Sequence, residues 1–577
     1  MNYIEPKTHL AELFRQAVAQ VAPDSAVAIE LDRPKQASHG DYACNAAMQL
    51  ARALKKNPRE VAGQIMAALP ASERVEKVEI AGPGFINVFL KPGAKQCLVG
   101  HVLAEGANYG RSNAGKGVKV QIEFVSANPT GPMHVGHGRG AAYGASLANC
   151  MAFAGFQVYR EYYVNDAGRQ MDILALSTWL RYLELNGEFV AFPGNAYQGD
   201  YVKMMAEGIY ALHGDRYKRA AADVSAGAPE AADAPDDHLD ALIANAKRLL
   251  GPDYDYIHGY ALEEQLGDGR NDLTEFGVVF DHWFSERTLH DAGLIDRAVA
   301  ALQKHGHIYE QDGALWFRST AFGDEKDRVV RRDNGIYTYF AADIAYHLNK
   351  FERGFDQVID VWGADHHGYI ARVKGALQAA GADPDRLTVA LVQFAVLWEG
   401  GQKKSMSTRS GQYVTLRELR GEVGNDACRF FYVLRKSDQH LDFDLDLAKS
   451  QTNENPVYYI QYAHARISRV LQAWGGDVRD LADADLTRLE HVSELALLNR
   501  LAEFPEVCAS ASREMAPHLV AYYLKELAAD LHGLYVACQF LVDDEALRQA
   551  RLALITATRL TLKNGLALLG VSAPDQM

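Results

Sequence analysis

Hydrophobic and polar positions divide the start of the chain into helical and alternating segments. Apolar side chains recur at helical spacing over residues 8–21 and 45–69. Residues 75–91 alternate apolar and polar positions on both sides of a Gly-Pro-Gly turn, as two paired strands do. The pattern predicts an N-terminal α+β domain over residues 1–112, which ends in a linker rich in glycine, asparagine and serine.

The middle of the chain begins with a strand–loop–helix–strand pattern. Residues 118–125 form an apolar strand, residues 138–155 a helix of small side chains, and residues 157–164 a second strand. The alternation resumes with a predicted helix at 343–351, a strand at 356–363, a helix at 368–381 and a strand at 387–398. This order predicts an α/β fold: a doubly wound, Rossmann-like parallel sheet over residues 116–452, split by a mostly helical insertion at about 175–325.

The remaining chain, residues 453–577, has helical periodicity to its end and predicts an all-helical bundle domain. One seam of valine and leucine positions alternates steps of four and three residues. It consists of Val520, Leu524, Leu527, Leu531 and Leu534. The insertion also contains a low-complexity stretch rich in alanine and aspartate, residues 221–240, to which the pattern assigns no role.

Composition narrows the functional classes. A chain of 577 residues is too long for one hydrophobic core, so several domains are expected. Its net charge of −15 argues against a polyanionic partner, but screening beyond about 8 Å makes local basic patches matter more than the total. The cysteines include no C-x-x-C pair, which predicts neither a disulfide framework nor a structural zinc site. The charged N-terminus and the lack of a long apolar run predict a cytoplasmic protein without a membrane span.

Two histidines, His134 and His137, lie three residues apart in the stretch SANPTGPMHVGHGRG. Three readings are open: zinc ligands, helix caps, or donors to a phosphate. Zinc is disfavoured because metal-binding helices place histidines four apart with an acid nearby. The pair lies where a strand enters a helix N-terminus, the usual phosphate position in open α/β sheets. Imidazole N–H groups at that point can stabilise the charge that develops on a phosphate during reaction.

The H-V-G-H string resembles the H-I-G-H signature of class I aminoacyl-tRNA synthetases, and its surroundings narrow the resemblance to the bacterial arginyl-tRNA synthetases. The segments that carry it, in the same order as in the family, are EFVSANPTGPMHVGHGRG, YFAADIAYH, VWGADHHGYIARVKGAL, MSTRSGQYVTLREL, DACRFFYVLR, DFDLDLA and NPVYYIQYAHARI. The resemblance implies a monomeric ligase that activates L-arginine with ATP, brought in with Mg²⁺, and transfers it to the 3′ end of tRNA(Arg).

The resemblance also implies an ATP site and a mobile signature loop at about 400–411. The predicted ATP-binding residues are Asn128, Pro129, Thr130, Gly131, Pro132, Met133, His134, Val135, Gly136, His137, Gly138, Met406 and Ser407. In the loop, Ser405 and Thr408 stand where the family usually has lysines. Positive charge near the transferring phosphoryl group is still needed. We therefore assign catalytic roles to Arg409 and Lys404 beside the two histidines.

A pocket for arginine requires carboxylates, because they pair bidentately with a planar guanidinium. By resemblance, Glu123 in the first strand faces the guanidinium, together with Tyr339 and Asp343, which share one helical face. Ser126 and Asn128 hold the α-amino and carboxylate end of arginine. The family has a further contact in the loop that contains His366 and His367, and which of the two lines the pocket is open.

Binding of tRNA by an acidic protein requires local basic segments, such as ARALKKNPR, KKSMSTR and HARISRV. By resemblance, Phe85 and Asn87 contact the corner loop of tRNA, where an aromatic ring and an amide suit an unpaired base. Tyr458, Tyr462 and Arg466 lie on one helical face and suit the splayed bases of the anticodon loop.

Three rival functions share parts of this pattern. Other class I synthetases, such as the glutamine, glutamate and cysteine enzymes, should not need two acids and a tyrosine around the side-chain pocket. A nucleotidylyltransferase that acts without tRNA would not need the large helical C-terminal domain. A non-catalytic RNA-binding paralogue would explain the altered signature loop.

Overall fold

An antiparallel sheet covered by helices forms the N-terminal part of the chain. The computed structural model describes residues 3–34, 36–404 and 413–577. The first elements are α1 (Pro6–Val21), β1 (Leu31–Asp32), β2 (Tyr42–Cys44), α2 (Ala46–Leu54), α3 (Pro58–Ala68), β3 (Val75–Ala81), β4 (Phe85–Leu90) and α4 (Pro92–Glu105). Their strand order is β1-β2-β4-β3. The helix predicted over residues 45–69 is two helices, because Lys55 ends the first in a left-handed conformation and Pro58 begins the second.

The largest part of the chain is built on a five-stranded parallel sheet, whose strands lie in the order β12 (Leu387–Val392), β11 (Gln357–Gly363), β5 (Lys119–Glu123), β6 (Gln157–Val164) and β7 (His282–Ser285). The first elements of this part are β5 (Lys119–Glu123), α5 (Val135–Phe153) and β6 (Gln157–Val164). The insertion and the edge strand follow as α6 (Arg169–Leu185), α7 (Asp200–His213), α8 (Ala221–Val224), α9 (Pro235–Leu250), α10 (Pro252–Glu275), β7 (His282–Ser285), α11 (Arg287–Asp291), α12 (Leu294–Lys304), β8 (Ile308–Gln311), β9 (Ala314–Phe317) and β10 (Arg328–Arg331).

The second half of the sheet follows the insertion. Its elements are α13 (Tyr339–Glu352), β11 (Gln357–Gly363), α14 (Ile370–Ala379), β12 (Leu387–Val392), β13 (Ala395–Glu399), β14 (Gln402–Lys403), α15 (Leu416–Val423), α16 (Asn425–Val433), β15 (Leu441–Asp444) and α17 (Leu445–Lys449). From β5 the chain steps through α5 to β6 on one side, and from β11 through α14 to β12 on the other. The doubly wound class is therefore confirmed, and its topological switch point lies between β5 and β11, where such sheets bind ligands.

Strand β5 has one apolar and one polar face, and this alternation sets up the site. Ile122 and Phe124 are buried under α5, where a Cβ on Gly144 would come within 2.3 Å of the Phe124 ring. Glycine at that position therefore lets the helix lie close to the sheet. The alternate residues, Gln121 and Glu123, hydrogen-bond on the opposite side to other buried polar groups.

Two further elements differ from the sequence predictions. Residues 282–285, placed inside the insertion by pattern, form β7, the edge strand of the main sheet. The strand predicted over residues 387–398 is two strands in different sheets, separated at Gln393 and Phe394. Its apolar run is continuous, so periodicity alone does not reveal the break. The low-complexity stretch at 221–240 includes α8 and the start of α9.

Four long helices form the C-terminal part: α18 (Pro456–Trp474), α19 (Val492–Arg513), α20 (His518–Ala537) and α21 (Glu545–Leu568). All five residues of the predicted seam on α20 are fully buried. Arg429 on α16 joins this part to the end of α10, because its buried guanidinium donates to the carbonyls of Leu569, Phe276 and Gly277. Among the described residues, no helix has both the length and the apolar composition that crossing a bilayer requires.

Candidate active site

The chain leaves β5 through a backbone turn that few side chains adopt. Val125 has φ of 70° and Ser126 has φ of 41°, and positive φ is costly for a β-branched residue. The Ser126 hydroxyl stabilises this turn by donating to Glu123 Oε1 at 2.8 Å and accepting the Tyr163 N–H at 3.1 Å. The turn directs residues 127–134 across the carboxyl end of the sheet.

Both histidines of the motif cap α5. His134 is the N-cap, and its Nδ1 accepts the Gly136 N–H at 3.1 Å. The Nδ1 of His137 accepts the His134 N–H at 3.4 Å, and the two rings stack with centroids 3.7 Å apart. Burial lowers the pKa of both rings, and that of His137 falls to about 3. Each ring is therefore neutral, with its proton on Nε2 and available to a ligand.

A cavity of about 890 Å³ lies between the loop 127–134, the insertion and the end of the signature loop. Its lining includes these predicted ATP residues: Asn128, Pro129, Thr130, Gly131, Pro132, Met133, His134 and His137. The insertion contributes Tyr201, whose hydroxyl donates to the Thr130 carbonyl at 2.7 Å, and β7 contributes Trp283, which stacks on Tyr162. Sequence reasoning missed these three aromatic residues, because no motif marks them.

The other predicted ATP residues lie at the start of α5 and take packing positions. Val135 is buried, and its N–H donates to the Val414 carbonyl at 3.1 Å. A Cβ on Gly136 would meet the His134 ring at 2.8 Å, and one on Gly138 would meet the Tyr432 ring at 2.7 Å. These two glycines therefore allow the histidine caps and the packing of α5 to coexist.

The signature loop is described only at its ends. Met406, Ser407 and Arg409 lie outside the described residues. After the loop, the Leu416 N–H donates to the Met133 carbonyl at 2.8 Å, so the segment that follows the loop lies beside the histidine motif.

Lys404 lies at the entry to this loop, within a cluster of two lysines and two glutamates. Its ammonium is 3.0 Å from Glu399 and 3.7 Å from Glu422, and Lys449 pairs with the same two carboxylates. The hydrogen bond to Glu399 is the main cause of a raised pKa for Lys404. Lys404 thus carries a positive charge, which in this arrangement faces the two glutamates.

Several carboxylates converge at the carboxyl ends of β5, β6 and β7. Glu123 is 9% exposed, and Asp343 accepts a hydrogen bond from the Tyr369 hydroxyl. Burial and the nearby carboxylates of Glu286, Asp343 and Glu123 raise the pKa of Tyr163 on β6. Burial also raises the pKa of Asp343, and that of Glu286 rises to about 7. A cluster of buried and half-buried acids of this kind suits a cationic ligand.

The remaining predicted arginine contacts lie further out. Tyr339 is 61% exposed at the start of α13, while Asn128 accepts a hydrogen bond from Asn165 at 3.3 Å. His366 and His367 are both exposed, and His366 Nε2 lies 3.7 Å from the carboxylate of its neighbour Asp365.

Three residues near these acids escaped the sequence analysis: Tyr163, Glu286 and Tyr369. Tyr369 bonds to Asp343 from the same loop as the two histidines. Glu286 directly follows β7, and its position at a strand end could have marked it as a candidate site residue. That signal was hidden as long as β7 was taken for part of a helical insertion.

The predicted tRNA contacts fall on two separate surfaces. Phe85 is half-buried, and Asn87 is buried within β4. On α18 the rings of Tyr458 and Tyr462 stack with an interplanar angle of 8°, and the Arg466 guanidinium lies 5.5 Å from the Tyr462 centroid. All three side chains on α18 are half-buried.

Two side chains of α20 extend this second surface. His532 stacks on Tyr462 with centroids 5.7 Å apart, and the Arg466 guanidinium lies 3.6 Å from the Tyr535 ring centroid. Both are half-buried as well. We call the set Tyr458, Tyr462, Arg466, His532 and Tyr535 the aromatic face.

Comparison with known proteins identifies the family. Three family models match: the arginyl tRNA synthetase N terminal domain over residues 8–90, the tRNA synthetases class I (R) catalytic domain over 98–186 and 285–451, and the DALR anticodon binding domain over 460–577. The chain is 66% identical to the arginine–tRNA ligase of Dechloromonas aromatica, covering 99% of both chains. It is also 66% identical to that of Azoarcus sp., covering 99% of this chain and 100% of the relative. The chain belongs to the arginyl-tRNA synthetase family.

A solved structure of this family supports the fold. The arginyl-tRNA synthetase of Thermus thermophilus aligns with a TM-score of 0.74 at 24% identity, over 99% of this chain and 100% of that one. Family membership confirms the class I catalytic sheet and the helical anticodon-binding domain, and it excludes the glutamine, glutamate and cysteine synthetases as rivals. Within the described residues, no group of three or more His, Cys, Asp and Glu side chains is arranged to hold a metal ion.

Proposed function

We propose that this chain joins L-arginine to the 3′ end of tRNA(Arg), at the expense of ATP, in two steps. The observation that carries the proposal is the cluster of the buried carboxylates Glu123 and Glu286 with the half-buried Asp343, at the end of the sheet from which the loop runs to a helix N-terminus that bears two neutral histidines. The acids suit a guanidinium, and the helix end suits phosphate. Relatives of the same length, 66% identical, are arginine–tRNA ligases.

In the first step, an oxygen of the arginine carboxylate forms a bond to the α-phosphorus of ATP. The bond from that phosphorus to the bridging oxygen breaks, and pyrophosphate leaves with the electron pair. Negative charge builds on the phosphoryl oxygens, and the Nε2–H groups of His134 and His137 donate to them. Mg²⁺ arrives with ATP as part of the substrate.

Further positive charge comes from the signature loop. We propose that Arg409 supplies it first and Lys404 second. Lys404 then has to leave its pairing with Glu399 and Glu422, so closure of the loop would exchange carboxylate partners for phosphates. Met406 and Ser407 are proposed to contact ATP from the same loop, and Ser126, Asn128 and either histidine of the 364–369 turn to contact arginine.

In the second step, a hydroxyl group of the terminal ribose at the tRNA 3′ end attacks the carbonyl carbon of arginyl-adenylate and displaces AMP. We propose that the aromatic face stacks bases of the anticodon loop, while Phe85 and Asn87 meet the corner loop. The half-buried rings leave edges and faces for such contacts. We also propose a monomer that works in the cytoplasm, where the six free cysteines stay reduced.

Pyrophosphate exchange tests the assignment. The assay is run with each amino acid in turn, with and without tRNA, followed by aminoacylation of tRNA(Arg). Arginine alone should support exchange and charging. Exchange with another amino acid would refute the assignment of the pocket to arginine. Inactivity with every amino acid would favour the non-catalytic RNA-binding paralogue.

A further inference from the structure

Three carboxylates occupy one row across the parallel sheet, on the side covered by α13. In the strand register Asp360 on β11 pairs with Glu123 on β5, and Glu123 pairs with Glu161 on β6. Neighbouring strands lie about 4.8 Å apart, and all three residues are buried. Like charges at that spacing repel strongly away from water, so the row requires cations from the covering helix.

Helix α13 supplies two cations to this row. The ammonium of Lys350 lies 2.5 Å from Glu123 Oε2 and 2.7 Å from Asp360 Oδ1, and the residue has no exposed surface. Arg353, one turn further along, donates to both oxygens of Glu161 at 2.5 and 2.8 Å. Burial by itself lowers the pKa of Lys350, but the two carboxylates outweigh it and the pKa is raised, so the lysine stays charged.

The two pairings differ in their relation to the pocket. Glu123 is the last residue of β5, and its other oxygen, Oε1, accepts the hydroxyl of Ser126 in the loop that enters the site. An ionised carboxylate accepts at about four positions, so Lys350 and Ser126 leave about two for a ligand. Asp360 gives its second oxygen to His347, at 2.9 Å. By the same count Asp360 also has about two acceptor positions left, but it has no exposed surface, whereas Glu123 is 9% exposed at the end of its strand. The Glu123 end of this ion triad is therefore the one that can offer acceptors to a substrate.

We propose that Lys350 is a positioning residue for arginine binding, which holds Glu123 by one oxygen so that the other side of the carboxylate faces the substrate. The proposal rests on the proposed function, in which Glu123 binds arginine. Two carboxylates and one ammonium leave one net negative charge, which matches one guanidinium. Without the ammonium, Glu123 and Asp360 repel each other, and the orientation that arginine requires is lost.

Substitution Lys350→Met tests the proposal, because it keeps an unbranched side chain of similar length and removes the charge. The KM for arginine in pyrophosphate exchange should rise by about tenfold or more, the scale for losing a charged partner in a buried site, while the KM for ATP stays within about twofold. The matched control is Arg353→Met, on the same helix and paired with the neighbouring acid of the row. It should lower the melting temperature without changing the KM for arginine.

Lys350→Met leaves two buried acids unpaired and is at risk of unfolding, so the double variant Lys350→Met with Asp360→Asn removes the excess charge. Circular dichroism and thermal unfolding establish that each variant is folded. An unchanged KM for arginine in either folded variant overturns the proposal, and so does an equal rise in the Arg353→Met control. A wild-type protein that fails to activate arginine would instead refute the proposed function.

Discussion

Glu286 should couple arginine binding to pH. The residue is 4% exposed at the end of β7, and the groups that act on it are Tyr163, Asp343 and Asp166, none of them a cation. Burial is the main cause that raises its pKa to about 7. A guanidinium bound beside it stabilises the ionised form, so the pKa falls in the complex. Arginine binding should therefore expel a proton from Glu286.

The size of the effect follows from the pKa of about 7. At pH 7 about half of the free molecules carry the proton, so roughly 0.5 proton should be released per arginine bound. The release should approach about 0.9 at pH 6 and vanish near pH 9. Because the proton competes with arginine, affinity should rise with pH: Kd falls by up to about tenfold per pH unit below pH 6 and levels off above pH 8.

Isothermal titration calorimetry with arginine measures this release directly. At each pH the titration is repeated in two buffers with different ionisation enthalpies, and the difference in heat gives the number of protons. The matched variant is Glu286→Gln, which should bind arginine more weakly and release no proton near pH 7. Equal proton release by the variant and the wild type, or none from the wild type at pH 6, would refute the reasoning.

Three further changes probe separate parts of the molecule. His137→Ala should lower kcat for arginine activation about a hundredfold or more with little effect on the KM for ATP, because the histidine donor acts on charge that develops in the transition state. A rise in the KM for ATP with an unchanged kcat would contradict this prediction. The double change Lys404→Ala with Arg409→Ala should abolish activation in rapid-quench assays yet leave tRNA affinity in filter binding within about tenfold, and full activity would exclude the loop assignment. Arg429→Met leaves buried carbonyls without their hydrogen-bond donor, at a cost of about 1–3 kcal/mol of stability each, so it should lower the melting temperature with KM values unchanged. An unaltered melting temperature would count against the role of Arg429 in joining the two parts.

Periodicity predicted the elements whose two sides meet different surroundings. The α20 seam repeats because one side of that helix faces the bundle, whereas β5 was predicted from its apolar character, since residues on both of its sides are buried. The same reasoning fails for strands β12 and β13, which were predicted as one strand. Their apolar run does not reveal that the chain passes from one sheet to another at Gln393. At that point the Arg139 guanidinium donates to the Gln393 carbonyl at 2.8 Å. A four-residue edge strand such as β7 is likewise too short to show a period.

Residues in a recognisable motif were placed by resemblance, but residues that act across elements were not. In the sequence Lys350 has the character of a solvated helix charge, and only the register of β5 and β11 reveals the two carboxylates that surround it. Glu286 likewise depends on β7 lying beside β6. Such contacts join positions that are far apart in the chain, so local sequence patterns do not predict them.

The histidine pair caps a helix in a way that is compatible with the catalytic role that we propose for it. Helix capping and phosphate binding were competing readings of His134 and His137 in the sequence. In the structure each Nδ1 accepts a backbone N–H at the start of α5, which leaves the single proton of a neutral ring on Nε2. Burial keeps both rings neutral, so neither takes a second proton near pH 7. The caps thus fix both the ring orientation and the tautomer, and they leave two Nε2 donors for the role that we propose, which is to stabilise the charge that develops on phosphate.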